Sequence, residues 1–598
     1  MPEQDVTYPP HIVAMVRERW ASNADAIVVR SPNDGGGWVD ITGAQARQQV
    51  DAVAKGLIAT GVQPGDKIGI YSRTRWEWTV ADLAIMSAGA VPVSIYDTSS
   101  DAQIEWICRD AEVSMIIAEQ SLHVAHANAV KDGGTTPLGK VVCIDDGALD
   151  ELAKAGAAVS DEALEERLAT VTHDSLATVM YTSGTTGLPK GVELTQFSYV
   201  RHVTGMVESM HDVVYEKDAS TVLFLTLAHS LARLVQFCLL YSGLVIGYCP
   251  DSSKLLPLIG SMRPTLLLAV PRVFEKVYNG AEQKAAADGK VKIFRWAAKQ
   301  SIDYSRALDA PGGPGFALKM KHRVADMLVL KKIRELLGGR AHWAVSGGSP
   351  LGDRLGHFYR GLGLTVLEGY GLTETNAASH VNRPELAKIG TVGPPLPGIE
   401  VSIADDGEIL MRGKQLFRGY HNNADATAEA MDGGWFHSGD LGSQDADGYL
   451  SITGRKKELI VTAGGKNVSP AELEDVVRGY ALISQCVAVG DNQPFIAALL
   501  TLDADALPGW LKGKGMEPMT VQEAARDPRI IERVQKAIDR ANGHVSRAES
   551  IRAYRILDED LTIENGFLTP SLKVRRGRVL EHFAPVVDDI YASKHTAK

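Results

Sequence analysis

The residues Tyr181-Thr-Ser-Gly-Thr-Thr-Gly-Leu-Pro-Lys-Gly191 constrain this chain more than any other stretch. Gly184, Gly187 and Gly191 carry no Cβ, so the backbone there can approach a ligand closely. Thr182, Ser183, Thr185 and Thr186 supply hydroxyls that can donate to phosphate oxygens. Successive N–H groups in such a loop form an anion-binding hollow, and Lys190 adds a point charge. The apolar run Ser175–Met180 before the loop is of strand type, and residues 196–210 after it are helix-like. The loop is therefore expected between a strand and a helix, where phosphates are commonly held. It is not a Walker loop, since its glycines are three apart and Pro189 precedes the lysine. A flexible Ser/Thr/Gly linker would share its composition, but not this order.

A chain of 598 residues exceeds what one core organises, so two or more domains are expected. The net charge of −11 argues against a general nucleic-acid binder. Cys108, Cys143, Cys238, Cys249 and Cys486 are scattered without a CxxC pair and read as reduced cytosolic thiols. The N-terminus has neither basic region nor apolar core, so no signal peptide is expected. The longest apolar run, Phe237 to Cys249, is broken by Ser242, Gly243 and Gly247 and fits a buried helix followed by a strand.

Residues 1–170 alternate strand and helix signals. Lys67–Tyr71, Val91–Ile95, Ser114–Ala118 and Lys140–Ile144 read as strands, and Trp76–Ala88 as an amphipathic helix. Repeated βα units imply a largely parallel sheet covered by helices.

Four further stretches follow the loop in order. They are Leu367-Glu-Gly-Tyr-Gly-Leu-Thr-Glu-Thr375, Trp435-Phe-His-Ser-Gly-Asp-Leu441, Gly454-Arg-Lys-Lys-Glu-Leu-Ile460 and Leu568-Thr-Pro-Ser-Leu-Lys-Val-Arg-Arg576. Together with Tyr181–Gly191 they resemble the motifs of the adenylate-forming superfamily, over about residues 40–580. The wording is similar to long-chain fatty-acid–CoA ligases of actinobacterial type. Two positions depart from the usual pattern: Thr226 stands where proline is common, and Ser571-Leu572-Lys573 replaces Ser-Gly-Lys.

The resemblance implies an α/β fold. A large N-terminal domain (1–456), with parallel-rich sheets flanked by helices, would bind ATP and fatty acid. A small mobile α+β lid (457–598) would carry the catalytic lysine, Lys573. The implied reaction is ATP-dependent activation of a long-chain fatty acid to acyl-adenylate, then transfer to coenzyme A. By the resemblance, Thr182, Ser183, Gly184, Thr185, Thr186, Gly187 and Lys190 hold phosphates. The turn Gly347, Gly348, Ser349 and the stretch Glu368, Gly369, Tyr370, Gly371 hold adenine, with Tyr370 stacking on it. Thr373 meets the α-phosphate region, and Glu374, with Thr182, holds Mg²⁺. Asp440 takes the ribose hydroxyls, Arg455 reaches the nucleotide, and Lys457 is the hinge. Gly465 faces the site only after the lid rotates, and His229 lines the carboxylate pocket and thiol path. Taken alone, His229 would read as structural, Asp440 as a turn acid, and the lysines as solvated surface. Residues 231–237 offer no acid for an α-ammonium, so an amino-acid substrate is not expected.

Two other functions compete. A fatty-acyl-AMP ligase would pass its acyl group to a carrier protein instead of CoA. A nucleotide sensor would not need Lys573. A carboxylic-acid reductase is disfavoured because no carrier or reductase module follows. The chain is expected to be cytoplasmic, in peripheral contact with an anionic membrane at its inner face. Its oligomeric state stays open, a homodimer included. The membrane expectation comes from residues 281–340, a largely helical insertion with thirteen Lys/Arg against six Asp/Glu. In it Met320, Val324, Met327 and Leu328 recur at helical spacing among Lys319, Lys321, Arg323, Lys331 and Arg334. A helix packed on the core with a solvated basic face is the plainer alternative.

Overall fold

Strand and helix alternate through the first third of the chain, and the resulting strands lie side by side in one sheet. The structure, a computed structural model, describes residues 8–33, 35–182, 188–569 and 573–595. The sheet runs in the order Gly419–Tyr420, Lys190–Thr195, Leu176–Thr182, Val91–Ile95, Lys67–Tyr71, Val113–Ala118, Lys140–Cys143. Its centre is parallel. Ile68, Ile70, Val93 and Ile95 are all fully buried, as a sheet covered on both faces requires.

Two local readings of the sequence are corrected. Lys190–Thr195 is a strand, paired antiparallel with Leu176–Thr182, and the helix Gln196–Ser209 begins only after it. Strand Leu176–Thr182 is thus followed by a second strand and not directly by a helix. Val192 and Leu194 are buried with Glu193 between them on the other face. That short two-residue period, ended by the helix cap Thr195, is the strand signal. The second correction concerns Trp76–Ser87, which is a helix but not an amphipathic one. Every residue of it except Glu77 is buried, including Asp82. Asp82 pairs with Arg233, both side chains at zero exposure, and the Arg233 guanidinium lies over the rings of Trp78, Tyr199 and Phe237.

Three more sheets complete the upstream part. Trp38–Thr42, Ile27–Pro32, Val245–Tyr248 and Ser220–Leu223 form one, and Leu266–Ala269, Trp343–Ser346, Thr365–Tyr370 and His380–Val381 another. The third holds five strands built around Trp435–Gln444. Phe237 and its neighbours lie in the helix Ser230–Ser242, followed by the strand Val245–Tyr248, as expected.

The insertion is helical, with Val291–Asp309, Phe316–Ala325, a π-helical turn Asp326–Leu330, and Lys331–Leu336. Its basic, apolar stretch packs on the core by one side only. Ala325, Leu330 and Ile333 face inward, whereas Phe316, Met320, Val324, Met327 and Leu328 are exposed.

Downstream of residue 457, Ile483–Val489, Ile496–Leu502 and Ile551–Ile556 form a mixed three-stranded sheet. One face packs Cys486, Ala488 and Leu500 against helices that include Pro528–Asn542. The other packs Val487, Val489 and Leu499 against Phe567 and Phe583. The helix Pro271–Ala287 seats this part of the chain. Arg272 pairs with Asp503 at 2.8 Å, and a Cβ added at Gly509 would stand 3.1 Å from Gln283 Oε1.

Candidate active site

Parallel sheets hold ligands at the carboxyl ends of their strands, and two such ends adjoin here. Trp343–Ser346 and Thr365–Tyr370 run parallel with Ser346 opposite Glu368. From the first leaves the turn of Gly347, Gly348 and Ser349, with Gly348 at φ +88°. Glu368 accepts the Leu351 N–H at 2.9 Å and so ties this turn to the neighbouring strand. Burial, with Asp353 adding to it, pushes the Glu368 carboxyl up to about 7. From the second strand leaves Gly371. A Cβ there would lie 1.8 Å from Ala377 O, because Asn376 and Ala377 fold back at positive φ. Gly369 and Tyr370 pair antiparallel with Val381 and His380, which fixes the height of the tyrosine.

Asp440 organises the next layer. Its Oδ2 accepts the Tyr370 hydroxyl at 2.7 Å, and its Oδ1 accepts Arg455 Nε at 2.7 Å. Asp440 and Arg455 face each other across the Trp435–Gln444 and Leu450–Arg455 strands, so their pairing follows from register. Each carboxylate oxygen has two lone pairs, so room remains for ribose hydroxyls. Burial and Asp440 raise the Tyr370 phenol far above its usual range and keep it neutral.

Glu374 stands on the 3₁₀ turn Thr373–Thr375, half-buried. Its Oε1 accepts the Tyr420 hydroxyl at 2.7 Å. The same Tyr420 ring lies 4.8 Å beneath Lys190 Nζ. Lys190 is the register partner of Thr182, so Tyr420 joins the end of this strand pair to Glu374. Oε2 of Glu374 has no partner among the described residues. One free carboxylate oxygen suits Mg²⁺, which prefers one or two carboxylates plus substrate phosphates. Among the described residues no group of three or more His, Cys, Asp or Glu makes an all-protein cage.

His229 caps the helix Ser230–Ser242, its Nδ1 accepting the Leu231 N–H at 3.2 Å. Burial and nearby Lys573 lower it to about 4, so at neutral pH the ring is uncharged with its proton on Nε2. Ser230 Oγ lies 3.4 Å from Thr373 Oγ1. The Lys573 carbonyl accepts the Thr569 N–H at 2.8 Å, and the Lys573 N–H donates to Thr569 Oγ1 at 3.0 Å. Desolvation by the surrounding protein, followed by the nearby Arg455 charge, lowers the Lys573 pKa, although the residue stays exposed at the surface. Arg576 braces this segment by donating to Ala488 O at 2.7 Å and pairing with Glu474.

Not every expected residue gathers here. Lys457 lies on an exposed 3₁₀ turn. Gly465, at φ +77°, sits in an exposed turn where an added Cβ meets nothing within 4 Å. Ser183, Gly184, Thr185, Thr186 and Gly187 lie outside the described residues. Sequence reasoning missed Tyr420 and Trp106, whose Nε1 donates to Pro189 O at 2.8 Å and anchors the Lys190–Thr195 strand. The dipeptide Gly419-Tyr420 offered only a weak signal, because its strand is two residues long.

Tyr370, Asp440 and Arg455 are thus joined by hydrogen bonds beside these strand ends. The AMP-binding enzyme family matches residues 16–421, and the AMP-binding enzyme C-terminal domain matches residues 457–595. The chain belongs to this family. It is 47% identical over 585 residues to the long-chain-fatty-acid–CoA ligase FadD15 of Mycobacterium tuberculosis, the match covering 97% of each chain. It is 30% identical to the long-chain-fatty-acid–CoA ligase ACSBG1 of Homo sapiens, over 93% of this chain and 82% of that one. Among solved structures, ATP-bound MatB from Rhodopseudomonas palustris superposes with a TM-score of 0.69 at 22% identity, covering 96% of this chain and 98% of that one. The A domain of a carboxylic acid reductase from Segniliparus rugosus, bound to AMP and a carboxylic acid, gives 0.74 at 19%, covering 98% and 94%. These two likenesses show the adenylate-forming fold: a large mixed α/β part followed by a small one.

Proposed function

We propose that this chain is an AMP-forming long-chain fatty-acid–CoA ligase. A carboxylate is a poor electrophile and must be activated before a thiol can attack it. In the first half-reaction a carboxylate oxygen attacks the α-phosphorus of ATP, the bond to the bridging oxygen breaks, and diphosphate leaves with its electron pair. Two anions meet in that step, so positive charge has to be waiting. Lys573 supplies it from the lid side, and Lys190, with the Ser183–Gly187 loop, holds the outer phosphates. Mg²⁺, held by Glu374 and Thr182, would neutralise phosphate charge. Asp440 takes the ribose hydroxyls and Arg455 steadies that carboxylate. Tyr370, fixed by its hydroxyl, offers its face to adenine above the Gly347–Ser349 turn. His229 donates through Nε2–H beside the carboxylate.

In the second half-reaction the CoA sulfur attacks the acyl carbonyl, the mixed anhydride bond breaks, and AMP leaves. Residues 1–456 form the body and 457–598 the lid, which turns about Lys457 between the two steps. That turn withdraws Lys573 and brings Gly465 to the thiol path. The fatty acid reaches a peripherally held, cytoplasmic enzyme from a membrane.

The observation that carries this reading is the hydrogen-bonded set of Tyr370, Asp440 and Arg455 beside Glu374, which Tyr420 links to Lys190. The test is AMP release across a panel of acids with and without CoA. Release that favours long-chain acids and needs CoA for turnover is expected. Preference for acetate or aromatic acids, or full turnover with a carrier protein alone, would overturn it.

A further inference from the structure

We propose that the exposed face of Phe316–Leu336 docks on an anionic bilayer surface. Phe316, Met320, Val324 and Met327 follow one another at spacings of four, four and three, so they form one stripe along the helix. The stripe points away from the core. Phe316 is 80% exposed and Met327 67%, with Met320, Val324 and Leu328 also open to solvent. The opposite side is occupied, since His322 stacks on Tyr304 at 4.0 Å and donates from Nε2 to Gly361 O, while Ala325, Leu330 and Ile333 are buried. Nothing in the fold therefore asks for an apolar stripe on this side.

The charges flanking the stripe are of one sign. Lys319, Lys321, Arg323, Lys331 and Lys332 are exposed, and none has an ion-pair partner among the described residues. Arg334, by contrast, is spent on Asp326 and on Leu362 O, so it is not part of the surface. Of the two acids in the segment, Asp326 is neutralised by that pair, and Glu335 is the exposed one.

An apolar row flanked by unpaired cations is what lies flat in a membrane interface, with its side chains among the acyl chains and its cations at the headgroups. Each cation near an anionic surface raises partitioning roughly fivefold. A second copy of the chain is a poorer occupant, because two such faces would bring like charges together. A nucleic-acid backbone would match the lysines but leave the apolar row without a partner. No helix among the described residues is long and apolar enough to span a bilayer, so docking would be peripheral and reversible.

The usefulness of this face rests on the long-chain acid reading, but its existence does not, and the two can fail separately. Flotation of the full chain with phosphatidylglycerol-containing vesicles at low salt tests the face. Binding is expected there, with loss at high salt and with phosphatidylcholine alone. The quadruple variant Lys319→Glu, Lys321→Glu, Arg323→Glu, Lys331→Glu should lower binding at least about a hundredfold. The variant Phe316→Ser, Met327→Ser should weaken binding even at low salt. AMP release from a dispersed acid without vesicles should be unchanged in both, which also shows that they fold. Equal flotation of the variants overturns the docking face. So does the absence of flotation at low salt, or a concentration-dependent dimer abolished by Phe316→Ser. Loss of AMP release in the unaltered chain would strike the ligase reading and leave the flotation result standing.

Discussion

At the scale of single residues, the site is built from side chains whose partners fix them before any ligand arrives. Tyr420 is the sharpest example, because it touches both Glu374 and Lys190 yet lies in none of the motifs. Replacing it with phenylalanine keeps the ring beneath Lys190 and removes only the hydroxyl bond to the carboxylate. A hydrogen bond to a charged group contributes about 1.5–3 kcal/mol, so Tyr420→Phe should raise the Mg²⁺ concentration for half-maximal adenylation about tenfold. A Mg²⁺ titration of diphosphate release checks this, and an unchanged midpoint would remove Tyr420 from the site. Lys573→Ala should lower adenylation by about 10²- to 10³-fold while sparing thioester formation from supplied acyl-adenylate. Equal losses in both half-reactions would show that the lysine serves structure. Glu374, Tyr370, Asp440 and Lys573 could be singled out from the sequence because each sits in a contiguous, ordered motif. Tyr420 could not, because 46 residues separate it from Glu374 and only the folded sheet brings them together.

At the scale of elements, the sequence was read well where periodicity is long and poorly where it is short. The central parallel strands and the insertion helices emerged as expected. The strand Lys190–Thr195 did not, since six residues next to a helix cap give period two little room to show. Trp76–Ser87 misled for the opposite reason: its polar residues suggest a wet face, but Thr79 and Asp82 are satisfied inside the core by Gln236, Tyr248 and Arg233. The hairpin around Gly465 makes a second kind of claim. Its exposed position leaves space for a side chain now, although φ +77° disfavours one. Gly465→Leu should therefore leave diphosphate release largely intact and depress acyl-CoA formation. Collapse of both steps would mean that the turn serves adenylation directly.

At the scale of the whole molecule, polar contacts join the part downstream of residue 457 to the helix Pro271–Ala287. Arg272–Asp503 is the partly buried ion pair among them, and such pairs contribute on the order of 1 kcal/mol. Arg272→Ala and Asp503→Ala should each shift the ratio of adenylation to thioester rates up to about fivefold toward the second step. The double variant should do no more than either alone, and additive effects would show that the two residues act separately. Stability should also depend on acid. His11, His202 and His229 are held at about 4 and His380 at about 3, chiefly by burial. Between pH 6.5 and 4 the unfolded chain takes up protons that these four refuse, so stability falls as pH falls through that window. Glu368, raised to about 7, and Asp82, raised to about 6, work the other way and offset part of this loss. Urea midpoints across pH 4–7 check the sign, and His202→Gln should flatten the slope. The Asp82–Arg233 pair has a further consequence for how the chain is made. A carboxylate at zero exposure must wait for a guanidinium 151 residues later, and Ile27–Pro32 must wait for Val245–Tyr248 to complete its sheet. Nascent chains that end before Arg233 should stay open to protease on the ribosome, while those that have emerged past Tyr248 should become resistant together. Synthesis of the first 230 residues is then a period of exposure, in which chaperones rather than native contacts keep the N-terminal helices from aggregating.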